Sequence, residues 1–384
     1  MALNPPSGLA SGATRARGGL AAVRPLPPAA AQAPAERVPA VPARKQTVFG
    51  YYDHNNVGDE AFKAVFQNLF GAGNVEFIGN MERAGRTDQV VFGGGAVINT
   101  YFINQLKNVE SIYCVGCSLP FSRGDIKVIE PLRDRFKCFY LRSRDDVAAM
   151  EEAGIKAVYT PDIVFTLKPP EIAFTPNDFA KYANLPPIDF GHKKHTVIAF
   201  LSDDYTIIYS EERQKAFLKV EKLKNELAGA FDMLAEKCNV VFIPLSVWYG
   251  SRDYVFALDV VRRMRNMSKV CVVERYLEPM DVLGAVNALD ATVVSMKFHG
   301  LVFGLMTGKL VVNIGTTRKN QSLMRDAGLT GLSFSYETVS ARGIADSVAK
   351  HVEPRLRDKI AVLGKEFATE AAARLAEFKA SLPD

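Results

Sequence analysis

The chain of 384 residues, 48% hydrophobic and 23% charged, has the composition and length of a two-domain globular protein, which excludes collagenous, disulfide-stapled and wholly disordered classes. Its formal charge of +5 resides in residues 1–45, where Arg15, Arg17, Arg24, Arg37, Arg44 and Lys45 meet one acid, Glu36. The remainder is neutral and offers no basic field for a nucleic-acid partner.

Residues 1–45 hold eight of the 20 prolines and no periodic apolar pattern, which predicts a disordered extension. Its basic, acid-poor character also fits an organellar transit peptide, although the prolines oppose the amphipathic helix such peptides form. From Gln46 short apolar runs alternate with helix-length segments. Thr47–Tyr52, Val75–Ile78, Gln89–Phe92, Ser111–Val115, Cys138–Leu141 and Ala157–Tyr159 read as strands. Glu60–Phe70 and Arg144–Ala153 read as helices, the second closed by Gly154.

A polar, proline-bearing stretch, residues 168–194, divides this first α/β domain (46–167) from a second (195–352). There Thr196–Leu201, Asn239–Pro244, Val270–Val273, Ala291–Ser295 and Leu310–Ile314 are strand-like. Helical runs cover Glu211–Lys237, Tyr254–Arg265, Met280–Asn287 and Ser322–Ala327, and residues 353–384 carry a long final helix. Strand-helix alternation with few tight hairpin signals implies parallel βαβ units. The expected fold is therefore two doubly wound, Rossmann-like domains facing across a cleft, with chemistry beyond the carboxyl ends of the strands. Ala291 to Ile314, the most apolar stretch, is broken by Lys297, His299 and Lys309, so no membrane span is expected. Five scattered cysteines favour a reducing compartment, which points to the cytoplasm, or to an organelle if residues 1–45 are a transit peptide.

Five junctions could carry chemistry. After the first strand, Asp53-His54-Asn55-Asn56-Val57-Gly58-Asp59-Glu60 suits a tight turn into a helix whose N–H groups attract anions; Asn56 or Asp59 could equally be a simple cap. Gly93-Gly94-Gly95 allows close approach of a ligand or of a packed helix, and is neither a dinucleotide fingerprint nor a P-loop. Arg142, ahead of Ser143-Arg144-Asp145, offers a fork for a carboxylate or phosphate, or an ion pair with Asp145 or Asp146. Trp248 and Tyr249, within Pro244–Arg252, could stack on a sugar ring or pack between domains. The sharpest is Ser295-Met296-Lys297-Phe298-His299-Gly300, followed after the next strand by Arg318-Lys319: a cation and an imidazole at a strand's carboxyl end suit anion binding and proton transfer. Cys114-Val115-Gly116-Cys117, without a second ligand pair, reads as core rather than metal site.

Taken in order, Asn56-Val57-Gly58-Asp59, Gly93-Gly94-Gly95, Arg142, Lys297-Phe298-His299-Gly300 and Lys319 resemble the motifs of the polysaccharide pyruvyl transferase family over about Gln46 to Gly328. The resemblance implies a GT-B-like pair of domains and transfer of pyruvate from phosphoenolpyruvate (PEP) to a sugar as a cyclic ketal, on a glycan or lipid-linked saccharide acceptor. It implies PEP binding around Lys297, Arg142, Lys319, Gly93, Gly94, Gly95 and Gly300, and His299 as general acid. Asn56, Asp59, Asp203 and Trp248 then fall to the acceptor or the cleft, and no metal or resident cofactor is required. The family usually has Arg where this chain has Lys297, a basic residue where it has Asp203-Asp204, and Asp-Pro where it reads Pro161-Asp162. The alternatives are a GT-B glycosyltransferase using a nucleotide sugar, and a non-catalytic glycan-binding homologue.

Overall fold

A computed structural model describes residues 45–81, 87–119, 123–184, 186–203, 213–248, 251–315 and 317–383. The expected N-terminal extension (its residues 1–44), Asp204 and Tyr249 lie outside the described residues. The first domain runs β1 (Gln46–Phe49), α1 (Val57–Phe70), β2 (Val75–Ile78), β3 (Gln89–Gly95), α2 (Thr100–Gln105), β4 (Ser111–Cys117), β5 (Phe136–Leu141), α3 (Arg144–Glu152) and β6 (Val158–Tyr159). Its strands form one parallel sheet ordered β2-β1-β3-β4-β5-β6.

The second domain opens with β7 (Thr196–Phe200), α4 (Arg213–Ala235) and β8 (Asn239–Phe242). A small antiparallel pair, β9 (Val247–Trp248) with β10 (Ser251–Arg252), precedes α5 (Asp253–Val261), β11 (Val270–Val272) and α6 (Pro279–Ala288). Then follow β12 (Ala291–Ser295), α7 (Phe298–Met306), β13 (Leu310–Ile314), α8 (Arg318–Asp326), β14 (Ser333–Phe334), α9 (Ala341–Ala349) and α10 (Pro354–Ala380). The second sheet is again parallel, in the order β11-β8-β7-β12-β13-β14. Helices cover both faces, which is why the central strands TVIAF, ATVVS and LVVNI are buried throughout rather than alternating. Strand order reverses between β1 and β3 in one sheet and between β7 and β12 in the other, so each domain presents its switch-point crevice at those strand ends.

Helix α1 shows how local sequence builds this frame. Asn56 accepts from the Gly58 N–H at 3.1 Å as N-cap, and Asp59 and Glu60 complement the positive end of the dipole. Val57, Ala61, Phe62, Val65 and Phe66 are all buried, each phenylalanine contributing about 1.5–3 kcal/mol by leaving water. Their seat is the triple glycine: a Cβ on Gly93 would lie 2.5 Å from the Phe66 ring, and one on Gly94 2.5 Å from Phe62. The helix begins three residues before the expected Glu60, which moves Gly58 and Asp59 from a loop into its first turn. Likewise α8 begins at Arg318 rather than Ser322, and β3 continues through Gly95.

Residues 168–194 are not a loose connection. Their 3-10 turn Pro176–Tyr182 buries Phe179 completely, and the Gly191 N–H donates to Asn239 Oδ1 at the start of β8. The final helix α10 returns to the first domain, setting Phe367 against Phe165 and Phe378 against Tyr140. No helix among the described residues is long and apolar enough to cross a membrane.

Candidate active site

The two switch points face each other across a cavity of about 390 Å³, within the usual range of small-ligand sites of roughly 300–1,000 Å³. Three helix N-termini open onto it. Asn56 and Asp59 come from α1, Lys297 and His299 from α7, and Lys319 from α8. Arg142, at the carboxyl end of β5, closes the floor, while Tyr51 and Trp248 stand in its wall. Three cations line one volume, and the N-termini of α7 and α8, which carry no side-chain cap, open onto it, an arrangement whose chemistry suits an anion. The backbone stitches the halves together there: the Val57 N–H donates to Leu245 O at 2.8 Å and the Val247 N–H to Asn55 O at 3.2 Å.

Beneath the cavity lies a buried charge cluster. Arg142 Nη1 donates to Asp162 Oδ2 at 2.7 Å and its Nε to Ser118 Oγ at 3.2 Å, with side-chain exposure of 2% for Arg142 and 0% for Asp162. His299 Nε2 faces the same Asp162 oxygen at 3.6 Å. Burial opposes ionisation of Asp162, but His299 and Arg142 outweigh it and hold its carboxyl down at about 2. The alternative open from sequence, an ion pair of Arg142 with Asp145 or Asp146, is thus replaced by the pair with Asp162. Those acids turn to the second domain instead, Asp145 meeting Arg325 at 2.6 Å and Asp146 meeting Arg318 at 3.4 Å.

Pro161-Asp162 is no idle departure either. Asp162 caps the 3-10 turn Ile163–Thr166 through its other oxygen, accepting from the Val164 N–H, and so presents Oδ2 to the site. Asp253 supports the other side. Fully buried at the start of α5, it accepts from the Leu245 and Ser246 N–H groups and pairs with Lys297 Nζ at 3.3 Å. Asp59 differs: burial pushes its carboxyl up, against the pull of His299, Arg142, Lys319 and Lys297.

The imidazole of His299 is 8% exposed and packs edge-on to Phe62 of the opposite domain, 5.5 Å between ring centroids. It sits directly over Gly58, where an added Cβ would lie 1.9 Å from its Nδ1. Gly58 is thus glycine because the histidine needs the space. Gly58→Ala is expected to displace the ring and lower any activity depending on it by at least 100-fold, about the scale of losing a positioned acid. Kinetics beside a thermal melt would check this, and full activity in the variant would contradict it.

The structure brings Asn56, Asp59, Arg142, Lys297, His299, Lys319 and Trp248 to one cavity. Gly93 and Gly94 instead seat Phe66 and Phe62, while Gly95, at φ +89°, lies beside Asp59, where a Cβ would come within 2.8 Å of its Oδ1. Gly300 lets α7 approach β7 and β12, since a Cβ there would strike Ser295 and Phe200. Asp203, after β7, is not among the cavity-lining residues. Cys114 and Cys117 are buried in the first sheet. Asp162, Asp253 and Ser118 were not candidates from sequence; only the polar residue on an otherwise apolar run, Asp162 before Ile163-Val164-Phe165, carried a signal.

Fold and site together define a two-domain, GT-B-type protein with an interdomain cleft lined by Arg142, Lys297 and Lys319. Solved structures with this fold include the UDP-GlcNAc 2-epimerase of Neisseria meningitidis bound to UDP-GlcNAc, at TM-score 0.55 and 9% identity over 87% of this chain and 99% of that one. The S. aureus MnaA–UDP structure follows at TM-score 0.54 and 10% identity, over 87% and 95%. At such identity the likeness extends to the fold alone. No curated protein matches the chain. Residues 56–318 match the polysaccharide pyruvyl transferase family, and the chain belongs to that family.

Proposed function

We propose that this protein transfers a pyruvyl group from PEP to a pair of sugar hydroxyls, forming a cyclic ketal and releasing phosphate. The observation that carries the reading is the convergence of Arg142, Lys297, Lys319 and His299 on one cavity in a chain of this family. PEP is a small polyanion whose lost hydration must be replaced by cations and N–H donors, and the cavity supplies both.

In this reading the cations hold the carboxylate and phosphate, and His299 gives its proton to C3 of PEP. The enol double bond becomes a methyl group and C2 an oxocarbenium-like centre. One acceptor hydroxyl adds to C2, its proton returning to the imidazole. The second hydroxyl then displaces phosphate, which leaves with the remaining proton. An imidazole has one nitrogen that donates and one that accepts, so the same side chain can give and recover a proton. Asp162 acts through His299 as a positioning residue, its Oδ2 facing the imidazole Nε2 at 3.6 Å.

The test is to mix protein, PEP and a panel of glycosides. Phosphate release with one pyruvyl group added to the sugar is the expected result; consumption of a nucleotide sugar with PEP untouched would overturn the reading. Lys297→Arg offers the fork that an ammonium lacks, and tighter PEP binding by calorimetry is expected. A gross loss of activity would show that the Asp253 pair is built around lysine.

A further inference from the structure

The rim of the cavity holds an aromatic group that the chemistry above does not use. Tyr51 and His54 are stacked at 4.1 Å between centroids and 23° between planes, and His54 meets Trp248 at 5.7 Å and 75°. His54 is flanked by two non-glycine residues with left-handed backbone, Asp53 at φ +65° and Asn55 at φ +50°. That costly conformation is fixed from behind, because the Asp53 N–H donates to Glu60 Oε1 and Lys63 pairs with the Asp53 carboxylate. The neighbouring backbone hydrogen bond from Val247 to Asn55 brings the Trp248 strand alongside. Trp248 remains 43% exposed although it and Tyr51 both line the cavity.

We infer that Tyr51, His54 and Trp248 form a platform for one pyranose ring of the acceptor. The inference rests on the pyruvyl-transfer reading for the name acceptor, and on the geometry for the sugar. A pyranose has an apolar C–H face that aromatic rings bind and an equatorial rim of hydroxyls. PEP has no such face, and the cations that suit it stand on α7, α8 and β5. Asn56 and Ser246, in the same cavity wall, supply amide and hydroxyl partners for the rim. The platform is continuous with the anion site, so a ring lying on Trp248 directs its hydroxyls inward to the carbon that accepts them.

Trp248 is the single tryptophan of the chain, so its emission reports this surface alone. The experiment titrates the full-length, PEP-free protein with methyl pyranosides of glucose, galactose, mannose and N-acetylglucosamine, reading tryptophan fluorescence. Calorimetry follows on Trp248→Ala, Trp248→Phe and His54→Ala. A saturable emission change with at least one glycoside is expected. Its affinity should weaken about tenfold in Trp248→Ala and less in Trp248→Phe, with PEP affinity held within about twofold. No response to any glycoside, or unchanged glycoside affinity in Trp248→Ala, would overturn the platform. Sugar binding without PEP binding to the wild type would instead defeat the donor assignment and leave the platform standing.

Discussion

His299→Ala is expected to lower kcat by about 10²–10⁴-fold, the usual contribution of a positioned general acid, while PEP binding stays measurable by calorimetry. The split between turnover and binding follows from the geometry. The imidazole is nearly enclosed by Phe62, Phe298 and Asp162, whereas the positive charge lining the cavity is spread over Arg142, Lys297 and Lys319, which stay in place. His299→Gln tests the same point with a side chain that can bond but cannot exchange a proton near neutral pH. If both variants lose PEP affinity as much as turnover, the histidine is a ligand contact and the proton comes from elsewhere. Asp59, whose carboxyl is pushed up by burial, would then be the first residue to test.

The second large effect concerns Asp162. Removing this carboxylate leaves the Arg142 guanidinium buried without its counter-ion, a change that costs about 3–5 kcal/mol in comparable buried pairs. Asp162→Ala should therefore lower the urea midpoint sharply, and it should also slow turnover by freeing His299. The pH dependence has a definite sign. The carboxyl is held at about 2 in the folded protein against ~3.9 unfolded, so its stabilisation is fully present above that unfolded value. It is lost as pH falls through the folded value, amounting to about 2–3 kcal/mol from this group. Urea titrations of wild type and Asp162→Asn between pH 7 and 2 would reveal the difference: the wild type loses more stability than the variant over that interval. Parallel losses would mean that Asp162 is not charged against Arg142.

Much of this architecture is written in the chain as apolar period. Runs such as Thr196–Leu201 and Leu310–Ile314 are buried on both faces and can be little but central parallel strands, and the fold class follows from their alternation with helices. The helix starts were less legible. Val57 and Arg318 begin helices three and four residues ahead of the periodic pattern; at Val57 the Asn56 cap and the acids Asp59 and Glu60, rather than apolar spacing, set the first turn. Strand β14 and the β9–β10 pair have two residues each, too short for any period to register.

The site divides in the same way. Residues at strand-to-helix junctions, Arg142, Lys297, His299 and Lys319 among them, are visible because topology sends every such junction to the cleft. The acids beneath them are not. Asp162 and Asp253 reach the site through tertiary packing between segments far apart in sequence, and each could be mistaken for an ordinary cap. The triple glycine could by local sequence admit a ligand or a packed helix; the structure seats Phe62 and Phe66 on it, with Gly95 beside the cavity-lining Asp59.

A crystal structure of the protein soaked with PEP would show whether the cleft holds this donor and how it meets His299. PEP is expected in the cleft, its phosphate and carboxylate on Lys297, Lys319 and Arg142 and its methylene carbon within reach of the His299 imidazole. PEP absent from the cleft at saturating concentration, or bound with its methylene turned away from His299, would contradict the pyruvyl-transfer reading.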